Sequence, residues 1–481
     1  MDLGELAREF RLEIPSDAES VVVTDVTEDS RSVTPGSLFV CVRGRSRDGH
    51  DFAAEAVSRG AVAVLAERRL GLAVPTLVVP DTRAFLGPVA SAVAGHPSRR
   101  LDVIGVTGTD GKTTTVSFVT QILTTLGVRA ESIGTLTGER TTPPAPELQR
   151  RLRGFVDAGV RAVAIEVSSH ALDQRRVDGC EMKVGVFTML GRDHLDYHGS
   201  LEAYFRAKAR MFEEPLVAVA VVNMDDPSGR RIAESSRARV VGYSLADARD
   251  LTSTPSGFSF EWRGRRAGVR LVGEHNLMNA LAAATAVSEL GHPDDDVASA
   301  LGELAAPRGR LERVDCRAEF EVFVDYAHTP DALATVLRAL RARTQNRLIL
   351  VFGCGGDRDP SKRPVMGSVA AELADLVFVT SDNPRSEDPD AIIRQILEGM
   401  SARADVRVEV DRRAAIRSAL EHATVGDVVL IAGRGHETHQ EIDGKSIAFD
   451  DAEVVREEFG SIGGEDPGGD REFQTSTGTE D

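Results

Sequence analysis

The chain of 481 residues has 42% hydrophobic and 5% aromatic residues and a formal net charge of -18, a globular composition too long for one ordinary core and without the basic excess that non-specific nucleic-acid binding requires. No apolar run is long enough to span a bilayer, and the amino terminus, MDLGELAREFRLEIP, has no basic region leading into an apolar stretch, so neither membrane insertion nor a secretory signal is expected. The widely spaced Cys41, Cys180, Cys316 and Cys354 argue against a disulfide framework or a thiolate zinc site, leaving a cytoplasmic enzyme of about three domains as the expectation.

From the amino terminus, strand-like runs (VVVTDV, SLFVCV, AVAVLAE, TLVVP) alternate with short helical stretches such as DFAAEAVSRG, which predicts a small α/β domain over residues 1–99. After a break at GHPSRR, an apolar strand runs into a Gly/Thr loop and an amphipathic helix in LDVIGVTGTDGKTTTVSFVTQILTTLG. AVAIEVSS, VGVFTML and VAVAVVNMD then read as buried parallel strands, and Pro and Gly in AAPRGRLERVD close a second domain over residues 100–307. A third α/β unit, residues 308–462, carries FEVFVDYAHTPDALATVLRAL, RLILVFGCGG, LVFVTSDNP and VVLIAGRGHE. Each places polar residues and glycines at the carboxyl end of a strand, where open α/β sheets bind ligands. Residues 463–481 are Gly-rich, acidic and nearly free of apolar side chains, which predicts a disordered tail.

The stretch VIGVTGTDGKTTT, Val103 to Thr115, has the strand-loop-helix context of a phosphate site. Its spacing departs from Gly-x-x-x-x-Gly-Lys-Ser/Thr whether counted from Gly105 or Gly108, so the motif alone does not decide. Gly108 and Gly111 let the backbone wrap an anion, successive N–H groups and the helix dipole attract it, Lys112 meets its outer phosphates, and Thr113 or Thr114 reaches a magnesium ion. Only five of the 57 basic residues are lysines, so each lysine is considered for chemistry that a guanidinium cannot do. Glu166 ends an apolar strand, where a carboxylate needs a cation or donors. A hard divalent metal is one partner; a helix cap made by Ser168 or Ser169 is the plainer role for this segment. His194 follows another strand, where it can ligate a metal or orient a carboxylate; a structural role is the plainer one for a lone histidine. Lys208 lies in a helix among Tyr204, Phe205, Met211 and Phe212, and a desolvated lysine can lose its proton and react as an amine.

Together these stretches resemble the Mur ligase family, and within it the enzymes that add the third amino acid of the peptidoglycan stem. The likeness runs through DSRSVTPGSLFVCVRG, GVTGTDGKTTT, TTPPAPELQ, EVSSHAL, RDHLDYHG, GEHNLMNALAA, GRLERVD, DYAHTPDAL, FGCGGDRDPSKRP, SDNPRSEDP and GRGHETHQ, from about Asp29 to Asp451. It implies an α/β, three-domain Mur ligase architecture: a UDP-sugar domain, a central P-loop ATPase domain, and a C-terminal Rossmann-like domain that brings in the amino acid. It also implies ATP and Mg2+, with the γ-phosphate passing to a substrate carboxylate and an amine attacking the resulting acyl phosphate.

On this resemblance Gly108, Thr109, Asp110, Gly111, Lys112, Thr113 and Thr114 hold ATP, Asn276 and Asn279 lie on its adenine side, and Asp325 and His328 belong to an interdomain nucleotide motif. Thr113, Glu166 and His194 resemble metal ligands, and Lys208 resembles the family's lysine carbamylated by carbon dioxide. Lys112, Glu166, His194 and Lys208 are then the catalytic set. Ser30 resembles a uridine contact, and Thr141, Thr142, Ser168, Gln174 and Arg176 resemble contacts to the UDP-muramoyl-dipeptide. The run Asp382, Asn383, Pro384 and Arg385 resembles the signature of enzymes that add meso-diaminopimelate rather than lysine, with Arg358, Gly433 and Glu437 as the other amino-acid contacts. Arg385 can clamp a side-chain carboxylate that lysine lacks, or it can be an ordinary arginine in a Pro-turn salt bridge; Glu437 can pair with the distal ammonium. A monomer acting on small molecules is expected.

Asp110 stands where the family's loop commonly has asparagine, and Met189 and Gly191 in FTMLGRDH stand where Asn and Ser/Thr are usual. An added carboxylate near phosphates repels them unless it faces magnesium or solvent. Two other readings stay open: a ligase that joins L-lysine or another acid–amine pair, and a silent nucleotide-binding scaffold. The retained Lys112, Glu166, His194 and Lys208 count against the scaffold.

Overall fold

The structure, a computed structural model, describes residues 1–462 apart from 45, 139, 255–256, 317 and 402–403. The tail expected over residues 463–481 lies outside the described residues. The chain divides into two compact units, one ending at Ala305 and the other beginning at Ala306.

In the first unit, β1 (Asp25–Thr27), β2 (Ser37–Val40), β3 (Ala63–Ala66) and β4 (Thr76–Val78) form a parallel sheet in that order. The run VVVTDV gives only its end to β1, because its valines are tied to the amino terminus: Leu3 N donates to Val21 O (2.8 Å) and Val23 N to Met1 O (2.9 Å). β2 and β3 are buried at every position. Leu38, Val40, Ala63 and Leu65 pack on one face, and Phe39, Cys41, Val64 and Ala66 on the other. Two covered faces explain a continuous apolar run where a half-exposed strand would alternate.

The second sheet of this unit contains β5 (Asp102–Thr107), β6 (Ala130–Ile133), β7 (Ala162–Glu166), β8 (Met182–Phe187), β9 (Val217–Asn223) and β10 (Arg239–Tyr243). All are parallel, in the order β10-β9-β8-β5-β7-β6. The helix Lys112–Thr125, expected to be amphipathic, is buried at Thr113, Thr114, Thr115 and Val116 in succession. It is sandwiched, with the sheet on one side and the helix Glu274–Ser288 on another. An antiparallel sheet of β11 (Arg249–Thr254), β12 (Gly257–Trp262) and β13 (Arg265–Val269) follows, which the apolar patterning missed because β11 is almost wholly polar and exposed.

The second unit holds β14 (Glu312–Val314), β15 (Glu321–Asp325), β16 (Leu348–Phe352), β17 (Leu376–Val379), β18 (Asp405–Val408) and β19 (Val428–Ala432). Their order is β14-β15-β19-β16-β17-β18, with only β14 antiparallel. A hairpin of β20 (His439–Ile442) and β21 (Lys445–Ala448) follows. No helix among the described residues is long and apolar enough to cross a membrane.

Candidate functional site

In the first unit the candidate residues collect at the carboxyl ends of β5, β6, β7 and β8. The Gly108–Gly111 turn joins β5 to the helix Lys112–Thr125, and both glycines have positive φ, 153° and 83°. A Cβ at Gly108 would lie 1.8 Å from Thr188 Oγ1, and one at Gly111 would lie 2.4 Å from Asn279 Oδ1, so no side chain fits at either position. Thr188 Oγ1 donates to Asp110 O (2.6 Å), and Thr109 N donates to Met189 O (2.8 Å). Asp110 is exposed, which leaves its carboxylate in contact with solvent. Lys112 folds back over the turn and donates to Gly108 O (3.0 Å) and Thr109 O (2.7 Å). At the helix start this makes a cradle of backbone amides with a cation above it, an arrangement suited to phosphate.

Beneath the cradle, Glu166 at the end of β7 is 1% exposed. Its carboxylate accepts from Thr113 Oγ1 (2.9 Å), Thr135 N (2.8 Å) and Thr135 Oγ1 (3.2 Å), which is how a buried anion is made tolerable. Lys208 is equally buried. It donates to Gly108 O (2.6 Å) and lies 4.5 Å from the centre of the Tyr204 ring, and Tyr204 OH in turn meets Thr109 Oγ1 (3.1 Å). Burial, and then the nearby Lys112 charge, pushes the Lys208 amine well below the ordinary lysine range. His194 caps the short helix Leu195–His198 in a left-handed conformation, φ 53°, with Nε2 3.3 Å from Asp193 Oδ2. Burial holds His194 below the ordinary imidazole range, with Lys112 and Lys208 acting in the same direction. His170 packs edge-on against it at 4.7 Å and is pushed down to about 4 by burial and by its histidine neighbours. Among the described residues no group of three or more His, Cys, Asp or Glu side chains is disposed to hold a metal; the expected set of Thr113, Glu166, His194 and Lys208 contains only two such side chains.

A second group adjoins Glu166. Thr142 Oγ1 donates to Glu166 O (2.7 Å) and to Ser168 Oγ (3.3 Å), and Thr141 Oγ1 meets Thr135 Oγ1 (3.2 Å). Arg176 donates to Thr142 O (2.8 Å) and grips Gln174 Oε1 (3.2 and 2.7 Å); Gln174 Nε2 donates to Tyr197 OH (3.1 Å). Thr141, Thr142, Ser168, Gln174 and Arg176 are thus one hydrogen-bonded surface. Ser168 also caps the helix Ser169–Asp173, accepting from Ala171 N, so the plainer role is present as well. Ser30 is bound instead to Glu55 (3.3 Å), beside the four-stranded sheet. Asn279 accepts from Thr115 Oγ1 (3.4 Å) behind the glycine turn, and Asn276 donates to Val272 O (2.9 Å) at the start of the same helix.

In the second unit, Asp325 ends β15 and accepts from Leu311 N (2.6 Å) and Ala327 N (2.7 Å); His328 packs on Tyr326. Asp382 follows β17 and faces Gly433, whose φ is 114° and whose Cβ would meet Asp382 Oδ2 at 2.5 Å. Asn383 donates to Glu437 Oε2 (2.7 Å), joining the DNPR and GRGHE segments. Burial, and then Asp382, raises the Glu437 carboxyl above its usual range. Pro384 O accepts from Glu387 N (3.0 Å) in a turn. Arg385 donates to Gly356 O (2.7 Å) and faces Glu441 (3.4 Å), so the Pro-turn salt bridge exists. Arg358 is exposed in the loop after β16. Sequence reasoning did not single out Thr135, Thr188, His170, Tyr197, Glu441 or Arg434. Thr188, His170, Tyr197 and Arg434 lie inside stretches singled out for other residues, whereas Thr135 and Glu441 lie outside them; what places each is a contact formed on folding, which for Arg434 is its donation to His439 O and Phe449 O.

Three family models match this chain: "Mur ligase family, catalytic domain" over residues 22–94, "Mur ligase middle domain" over 106–287, and "Mur ligase, glutamate ligase domain" over 309–435. It is 46% identical over 454 residues to the UDP-N-acetylmuramoyl-L-alanyl-D-glutamate--2,6-diaminopimelate ligase of Geobacillus kaustophilus, with 89% of this chain and 93% of that one covered. The protein of the same name from Pseudomonas aeruginosa is 43% identical over 471 residues, covering 91% and 95%. A solved structure with that name aligns with a TM-score of 0.71 at 34% identity, covering 96% of this chain and 99% of the other. MurF from Acinetobacter baumannii aligns with a TM-score of 0.64 at 21% identity over 89% and 94%, a likeness of fold.

Proposed function

This chain belongs to the Mur ligase family, and from that premise we propose that it is an ATP-dependent, ADP-forming ligase that joins meso-diaminopimelate to UDP-N-acetylmuramoyl-L-alanyl-D-glutamate in the cytoplasmic synthesis of peptidoglycan precursors. The observation that carries the reading is the cradle in which Lys112, the Thr113–Glu166 pair and the buried Lys208 amine converge on one glycine turn. We assign residues 1–99 to the nucleotide-sugar, 100–307 to ATP and catalysis, and 308–462 to the incoming amino acid, in a monomer.

In this reading Gly108 to Thr114 hold the ATP phosphates, and a substrate carboxylate oxygen attacks the γ-phosphorus while ADP leaves. The amine then attacks the acyl carbon and phosphate departs, a better leaving group than the oxide of a free carboxylate. Thr141, Thr142, Ser168, Gln174 and Arg176 hold the muramoyl-dipeptide, and Ser30 its uridine. Asn276 and Asn279 are assigned to the adenine side, and Asp325 and His328 to the nucleotide motif. The Thr113 hydroxyl and Glu166 carboxylate, 2.9 Å apart, are hard oxygen donors of the kind magnesium takes, and it needs few of them when phosphates complete its shell. With His194 and a carbamylated Lys208 they would hold the ion, which when bound supplies charge neutralisation for phosphoryl transfer.

Arg385, Arg358, Asp382, Asn383, Pro384, Gly433 and Glu437 are assigned to diaminopimelate, with Arg385 on its side-chain carboxylate and Glu437 on its distal ammonium. The test is phosphate release by the purified protein with ATP, magnesium and the UDP-muramoyl-dipeptide, with meso-diaminopimelate, L-lysine or L-ornithine as acceptor. Dependence on diaminopimelate supports the reading, turnover with lysine keeps the ligase and discards the specificity, and no turnover with any acceptor by folded, ATP-binding protein points to a ligase that joins another acid–amine pair. In the same assay Arg385→Ala should raise the KM for diaminopimelate about 10- to 100-fold, the range of a charge-assisted hydrogen bond, and leave the KM for ATP in place. An unmoved diaminopimelate KM would remove the reason for naming that amino acid.

The raised Glu437 carboxyl carries a pH prediction. As pH falls through its folded-state value, which lies above the usual glutamate range, the carboxylate protonates and loses its attraction for an ammonium. The KM for diaminopimelate should therefore climb on the acid side, and Glu437→Gln should abolish that limb of the profile. A wild-type KM that stays flat to the acid limit at which the protein remains folded contradicts the assignment.

A further inference from the structure

The cation assigned to the acceptor's carboxylate already faces a carboxylate of its own chain. Arg385 has a left-handed backbone, φ 53°, bracketed by the β20–β21 hairpin: Arg385 N donates to Glu441 O (3.0 Å), and Asp443 N donates to Arg385 O (2.8 Å). Glu441 N is itself fixed, donating to Asn383 Oδ1 (2.9 Å). The guanidinium is anchored at one end by Gly356 O (2.7 Å), while Nε faces Glu441 Oε2 at 3.4 Å.

The two partners are unequally held. The Arg385 side chain is 24% exposed and that of Glu441 is 52%. Glu441 can therefore turn into water with little desolvation, whereas Arg385 stays aimed by its carbonyl anchor and its clamped backbone. An ion pair so open to solvent is weak. A ligand carboxylate that also gains contacts to neighbouring groups can replace it.

We propose that Glu441 is a built-in competitor, occupying Arg385 in the unliganded enzyme and yielding it to the side-chain carboxylate of the incoming amino acid, so that Glu441 sets how tightly that amino acid binds. This deepens the proposed function and rests on Arg385 being the acceptor's carboxylate contact. The exchange is non-covalent: one carboxylate leaves the guanidinium as another arrives. Glu441 acts through Arg385 and is a positioning residue. It also bears on selectivity, because an acceptor without a side-chain carboxylate leaves the internal pair intact and gains nothing from its removal.

The test uses the full-length enzyme, with wild type, Glu441→Gln, Glu441→Asp, Arg385→Ala and the Glu441→Gln/Arg385→Ala double variant. KM values for meso-diaminopimelate and for ATP are read by phosphate release, beside thermal unfolding of each protein. Glu441→Gln should lower the diaminopimelate KM about two- to five-fold, the span of an exposed ion pair, without moving the KM for ATP. Glu441→Asp should stay near wild type, and the gain should vanish in the Arg385→Ala background. An unchanged or raised KM in folded Glu441→Gln overturns the proposal, as does a gain that persists without Arg385. Loss of the folded state in both Glu441→Gln and Glu441→Asp would make Glu441 structural and overturn it too. Should Arg385→Ala leave the diaminopimelate KM unmoved, the parent assignment fails first and this inference falls with it.

Discussion

Replacing Lys208 by alanine should lower ligation about 10²- to 10³-fold, the scale for loss of a preorganised charge at a reacting phosphoryl or acyl group, and a short carboxylic acid such as acetate should restore part of it. Lys208 is 1% exposed and bonded to the carbonyl of the glycine turn itself, and burial holds its amine well below the ordinary lysine range. A neutral amine can attack carbon dioxide; the N–C bond forms, a proton leaves nitrogen, and the product is a carbamate anion. That converts an amine into an anionic oxygen donor at the glycine turn whose Gly108 carbonyl it contacts. Arginine, which keeps its proton, cannot make this change, so Lys208→Arg should be as inactive as the alanine variant, although arginine fills most basic positions of this chain. Phosphate release would be measured for both variants with and without acetate, and for wild type in carbon-dioxide-depleted buffer before and after bicarbonate. Near wild-type turnover by the alanine variant without added acid would sink the carbamate role.

Asp451→Ala is expected to destabilise the second unit by about 3–5 kcal/mol, the cost of stranding one member of a buried ion pair. Arg412 and Asp451 are both 0% exposed and joined by two hydrogen bonds of 2.8 Å. Arg412 also donates to Ser381 O (3.3 Å) and Ala432 O (3.1 Å), the residues just before Asp382 and Gly433. The pair therefore ties together the strand ends that present the candidate amino-acid contacts. Without Asp451, the Arg412 cation would be left beside Arg434, also fully buried. Replacing both partners by methionine removes the stranded charge and should recover most of the loss. Denaturant unfolding of the two variants decides the matter. A loss below about 1 kcal/mol in the single variant would mean that water or a rearranged carboxylate reaches Arg412.

Much of the fold was legible because its signals are local. Each buried parallel strand is a short apolar run ended by Gly, Thr, Asp or Glu, so β5, β7, β8, β15, β16 and β19 could be placed from their own residues. The polar β11 gave no such signal, and VVVTDV misled because its valines pair with the amino terminus. The candidate residues were legible in a second way, through ordered motifs from Asp29 to Asp451 that resemble one family. That route named Glu166 and Lys208 but said nothing of how a buried carboxylate and a buried lysine survive.

By itself the sequence determined the alternating strand-loop-helix pattern, the glycine turn and the lysine that follows it, because spacing, apolar period and φ tolerance act over a few neighbouring residues. Only the tertiary structure decided which groups share a charge. Thr135 reaches Glu166 across 31 positions, Tyr204 reaches Thr109 across 95, Arg412 reaches Asp451 across 39, and Glu441 turns back onto Arg385. Such pairings follow from sheet order and from the need to satisfy every polar group taken out of water, and neither is written in any local stretch of the chain.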